Sequence, residues 1–139
     1  MYTSASILKK HVIFNLAGTL FLMLFSAVYE AYSHGVYSYF MIYAPAIPLV
    51  FGVTLYIILL FAEKFPSRVF LNLWNSAIAA FSVGSVFKGV LEIYGTTNSL
   101  SFIYPLAGCV LAAAALVSLA VRPRRKHTPK GAARYDSTI

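Results

Sequence analysis

Apolar residues gather in four stretches of this chain, at 12–29, 39–62, 69–87 and 102–121, and polar residues fall mostly in the short intervals between them. Each stretch comes close to the ~20 residues that an α-helix needs to cross the hydrocarbon core of a bilayer. Extended to the nearest break, the pattern predicts spans at about 12–31, 39–62, 69–92 and 102–121, then a basic tail at 122–139. The interval 33–38 holds Gly35 and is long enough only for a helical hairpin, so helices one and two are expected as neighbours. Pro66 breaks the second helix, and the run Gly95, Thr96, Thr97, Asn98, Ser99 is a turn composition before the fourth. The expected fold is all-α, an integral membrane antiparallel four-helix bundle.

Composition agrees with the pattern, since 60% of residues are apolar and 11% charged, a balance unsuited to a soluble domain of this size. Charge then sets the orientation. Ten of the eleven Lys and Arg residues lie outside the apolar stretches, before the first, between the second and third, or after the fourth. Four spans put those segments on one side, and the positive-inside rule makes that side the cytoplasm, with both termini inside. A cleaved signal peptide over the first stretch is disfavoured, because Tyr29 and Glu30 stand where a small-residue cleavage site is needed. The lone Cys109 has no partner in the chain, which excludes an intramolecular disulfide.

Polar residues inside the spans are the informative ones. At ~100° per residue, Asn15, Thr19, Ser26, Glu30 and Ser33 share one narrow arc of helix one, with His34 at its edge. Asn75, Ser82, Ser85, Gly89 and Glu92 share a broader face of helix three, with Lys88 at its margin. Such stripes turn inward, because an unsatisfied polar group costs several kcal/mol against lipid, so helices one and three are expected to face each other across a polar seam. Glu30 with His34, and Lys88 with Glu92, stand at i and i+4 and can meet on one helix face. Glu30 is either salt-bridged, with Lys88 as the partner across the seam, or proton-titrating; the first state is structural and the second suits a proton-coupled carrier.

Seven of the ten tyrosines, Tyr29 among them, fall at the external ends of spans or in the external loops. They form either an interfacial aromatic belt or a vestibule for a polar or cationic ligand. Pro45 and Pro48 in helix two release backbone carbonyls that can coordinate a ligand, unless they merely occupy a first turn. Gly108 and Ala112 make a small-xxx-small pair on helix four, suited either to a homodimer contact or to close packing within the monomer. The tail residues Arg122, Arg124, Arg125 and Lys126 read as an anchor on anionic lipid, not as a nucleic-acid site, because no aromatic platform is interleaved with them.

His11 and His34 stand at opposite ends of one helix, and no phosphate loop, catalytic triad or carboxylate pair is present, so no metal, cofactor or enzyme activity is expected. The stretch YEAYSHGVYSYFMIYA at 29–44 resembles segments of uncharacterised small four-span bacterial membrane proteins, and the resemblance implies a location in the bacterial plasma membrane without implying an activity. A match to the small multidrug transporters fails, because Glu30 lies near the external end and the charge bias is strong. The expected function is that of a non-enzymatic membrane component binding a ligand or partner at its polar external end, in a larger complex or a homodimer. Candidate residues are Glu30, His34, Lys88, Glu92, Tyr29, Asn15, Ser26 and Ser85. A proton- or ion-coupled carrier using Glu30, and an integral membrane enzyme, are the alternatives.

Overall fold

The computed structural model describes residues 4–121, and these are helical almost throughout. Four helices are long and apolar enough to cross a membrane: Ala5–Tyr32, Tyr39–Phe61, Arg68–Ile93 and Ser99–Ala120. The first is the single helix α1, Ser4–Tyr32, which starts well before the apolar run because Lys9 and Lys10 are compatible with helix and sit exposed on it. The third is α4, Arg68–Ile93, and the fourth is a 3-10 turn, Ser99–Phe102, leading into α5, Ile103–Ala120.

The second span is broken where the prolines fall. It comprises α2, Tyr39–Tyr43, then a π-helical segment, Pro48–Thr54, then α3, Leu55–Phe61. Pro45 and Pro48 carry no N–H, so the regular bond to the residue four before each is missing and the backbone settles into tighter and then wider turns.

The helix ends are locally encoded. Glu30 O accepts from the Ser33 amide at 3.2 Å, and His34 and Gly35 follow with φ of 55° and 88°, which ends α1. Ser67 caps α4 by accepting from the Phe70 amide at 3.2 Å, with Pro66 immediately before the cap.

Large apolar side chains cover the outside, Phe14 and Phe61 among them, while Asn15, Thr19, Ser26, Ser38 and Ser82 are buried. That inversion is what lipid as solvent requires. The expected seam forms at one end, where the Asn15 side chain of α1 meets Asn75 of α4 at 3.0 Å, and elsewhere the packing order differs from it. α1 lies on the π-helical segment and α3, while α2 and the π-helical segment lie on α4, and α5 lies on α4. The second span therefore stands between the first and third, whose backbones do not come together. At one end Leu8, Tyr56, Phe70, Leu71 and Ala115 bring all four spans into a single apolar cluster. Of the small-xxx-small pair, Gly108 packs within the chain, where an added Cβ would lie 2.9 Å from the Phe81 ring, while Ala112 lines a cavity.

The contact between α1 and the second span depends on Gly52, where an added Cβ would overlap the Asn15 side chain. Gly52→Val is expected to destabilise the protein by about 1–3 kcal/mol through overpacking. Gly18→Ala, with open space at the Cβ position, is expected to be neutral or mildly stabilising. Thermal unfolding of both variants in detergent checks the contrast, and equal midpoints would contradict the packing described.

Candidate functional site

The site is built around the break in the second span. Pro45 cannot donate to Met41 O, and the Ala44 amide, which a continuous helix would direct to Phe40 O, reaches Met41 O at 3.4 Å instead. Two carbonyls are thereby left short of donors. Ser26 Oγ, from α1, donates to Met41 O at 2.9 Å, and Ser85 Oγ, from α4, donates to Phe40 O at 2.7 Å. Further along, Trp74 Nε1 of α4 donates to Phe51 O at 2.9 Å, and Thr54 Oγ1 donates to Leu49 O at 3.2 Å within the π-helical segment. The released carbonyls expected to serve as ligands are occupied by the neighbouring helices.

The polar stripe of α1 is closed in the same way. Asn15, Thr19 and Ser26 are only 5%, 3% and 6% exposed. Thr19 Oγ1 donates to Asn15 O at 2.9 Å. Asn15 Nδ2 donates to His11 O at 2.8 Å and to Asn75 Oδ1 at 3.0 Å. Asn75 Nδ2 in turn donates to Leu71 O at 2.9 Å and meets His11 Nδ1 at 2.8 Å. The two backbone carbonyls can only accept, which orients both amides, so His11 Nδ1 must accept and the ring proton resides on Nε2. Tyr56 completes the cluster, its ring centroid 5.6 Å from that of His11 and its buried hydroxyl beside Asn75 without a close hydrogen bond. No sequence signal marks the part played by the His11 ring and Tyr56, because the ring's partner Asn75 lies 64 residues away and the i, i+4 bond from Asn15 goes to the His11 backbone carbonyl.

At the opposite, tyrosine-rich end the charged candidates do not converge. Glu30 and Lys88 form no ion pair. Lys88 Nζ instead stands 4.1 Å from the centroid of the Phe40 ring. Glu92 Oε2 accepts from the buried Ser38 Oγ at 2.7 Å, so Lys88 and Glu92 turn to different parts of the second span and do not meet at i, i+4. His34 does not return to Glu30, because α1 has ended and its Nδ1 lies 2.9 Å from Tyr32 O. Glu30 Oε1 is buried and unpartnered. Tyr29 stacks on Phe25 with centroids 5.8 Å apart, and its side chain interacts with Tyr94.

What remains open is a groove between the second span and the α4–α5 pair. Its mouth, about 330 Å³, is lined by Phe40, Ser85, Lys88 and Ser101, among others. An apolar extension of about 280 Å³ runs past Phe51, Trp74, Ile78 and Ala112. Ile47 and Phe81 line both, so the two cavities adjoin. The arrangement offers one cation at the end and an apolar trough leading inward. Among the described residues no three His, Cys, Asp or Glu side chains converge as a metal site. The tail anchor Arg122, Arg124, Arg125 and Lys126 lies outside the described residues. No family model, curated protein or solved structure matches this chain.

Ser26→Ala is expected to destabilise the fold by about 1 kcal/mol, the usual net value of a hydrogen bond. In a Pro45→Ala background, where a backbone N–H returns to Met41 O, that loss is expected to shrink. A double-mutant cycle by denaturant unfolding reads the difference. Asn75→Leu, which removes the hub of the buried network, is expected to lower stability by about 1–2 kcal/mol.

Proposed function

We propose that this chain is a non-enzymatic component of a bacterial plasma membrane, an antiparallel four-helix bundle with both termini in the cytoplasm, that binds an anionic amphiphile at its external end. The observation that carries this reading is the pair of adjoining cavities, one lined by Lys88 and the other by Trp74. Its polar entrance and apolar interior suit a ligand with a charged head and a hydrocarbon chain, and pockets of a few hundred Å³ lie at the small end of those that hold such molecules. Lys88 rests against Phe40 and meets no carboxylate, which leaves its charge for an anionic headgroup. Ser101 at the same mouth supplies a hydroxyl.

The carrier alternative needs the α1 stripe to line a route through the membrane. Burial of Asn15, Thr19 and Ser26, each engaged in hydrogen bonds, argues against such a route. The unpartnered Glu30 Oε1 favours keeping that alternative as a second reading, in which Glu30 contacts a bound ion or solute at the external end.

Trp74 is the sole tryptophan and lines the groove, so it reports occupancy directly. An anionic single-chain amphiphile with a brominated tail is expected to quench Trp74 saturably, with affinity about fivefold above that of its zwitterionic counterpart, the worth of one basic residue near the surface. Lys88→Gln is expected to abolish that preference and Glu30→Gln to leave it intact. Equal quenching by both headgroups in the unmodified protein would remove the groove from consideration as a specific site, and a loss on Glu30→Gln alone would move the reading to the carboxylate.

A further inference from the structure

A second groove lies at the other end of the bundle, between the first turns of α1 and α4, and shares no residue with the amphiphile groove. It encloses about 330 Å³ and is lined by Ile7, Lys10, His11, Arg68, Leu71 and Asn72. No carboxylate is among these residues. Arg68 makes no ion pair with any described residue and has five N–H donors in a fixed plane. The buried network bears directly on this groove: because His11 Nδ1 accepts from Asn75, His11 presents its remaining N–H, on Nε2, with no protein acceptor. Arg68, the His11 ring and the Asn72 amide offer donors from two helices around one space, with the Lys10 charge beside them and Ile7 and Leu71 as apolar walls.

The geometry points to this groove as a binding site for a phosphate group, with Arg68 and Lys10 supplying the charge and His11 a fixed neutral donor. Tetrahedral phosphate presents several acceptor oxygens, which suits donors converging from two sides, and arginine pairs with it in a bidentate manner. The groove stands at a helix-end level where a phospholipid headgroup and a dissolved phosphate are both within reach. The apolar walls would lie along the first carbons of an acyl chain in the former case. His11 contacts the phosphate directly, and Asn75 is the positioning residue that sets its tautomer from within the bundle.

The test uses the full chain in phosphatidylcholine nanodiscs, with dioleoyl phosphatidic acid and inorganic phosphate as probes and native mass spectrometry and ³¹P NMR as readouts. One saturable phosphatidic acid site is expected, weakened about tenfold by Arg68→Gln and by Lys10→Gln, as for loss of a charge-assisted hydrogen bond, and partly restored by Arg68→Lys. Lys88→Gln and the tail variant Arg124→Gln are expected to leave it unchanged, which separates this site from the amphiphile groove and from the tail. Displacement of the lipid by millimolar inorganic phosphate would assign the bound group to the aqueous side, and its absence to the bilayer. Lys10 and Arg68 are exposed, so their variants retain the fold, which far-UV circular dichroism verifies. Binding of neither probe, or binding unaltered in both groove variants, overturns the assignment.

Discussion

A carbonyl that loses its regular helical partner must be served from elsewhere, and the arrangement of this protein follows from how two such carbonyls are satisfied. Pro45 withdraws the regular donor of Met41 O, which keeps only a long bond of 3.4 Å from the Ala44 amide, and that shift leaves Phe40 O without its helical donor. In water the solvent would make up the difference. Between apolar spans only side chains can, and Ser26 and Ser85 do so from either side. The broken second span is thereby held between α1 and α4 at this level, while toward the other end the Asn15 and Asn75 side chains of those two helices still meet directly.

The same insertion creates the open groove. With the second span fastened to α1 and α4, α5 packs on α4 and leaves a trough bounded by Phe51, Phe81 and Ala112. Ser85 stands where the two features meet, donating to Phe40 O and lining the mouth. Its neighbour one turn on, Lys88, lies against the ring of the same Phe40. Structural repair and candidate recognition thus share a short segment of α4, and changes at Ser85 act on both.

Hydrogen-bond satisfaction also decides which polar residues are available for function. Asn15, Asn75 and His11 use nearly all of their capacity on one another and on helix carbonyls, so the α1 stripe is cohesive rather than solvated. Apart from the buried Tyr56 hydroxyl, what these residues leave over is an N–H on His11, at the groove edge and directed by elimination away from Asn75. A buried network with one unspent donor at its edge makes the edge specific: the proton position is set internally, whatever approaches from outside.

The locations of the four spans were legible in the sequence because length and hydrophobicity alone decide whether a helix suits a membrane, and the prolines marked the irregular span because a missing N–H is a local fact. Pro45 and Pro48, Ser26 and Ser85 were all visible as residues of interest. Their partnership was not, since a donor and the carbonyl it serves lie far apart in the chain, 15 residues for Ser26 and Met41 and 45 for Ser85 and Phe40. Spacing likewise suggested Glu30 with His34, yet the left-handed backbone at His34 and Gly35 ends the helix first. It suggested Lys88 for Glu30 or Glu92, yet the interposed second span offers Phe40 and Ser38 at closer range. Sequence by itself determined the elements and their polarity, through periodicity and chemical composition; tertiary structure alone decided the pairing, because a polar group in a low-dielectric interior takes the partner that packing brings within hydrogen-bond reach.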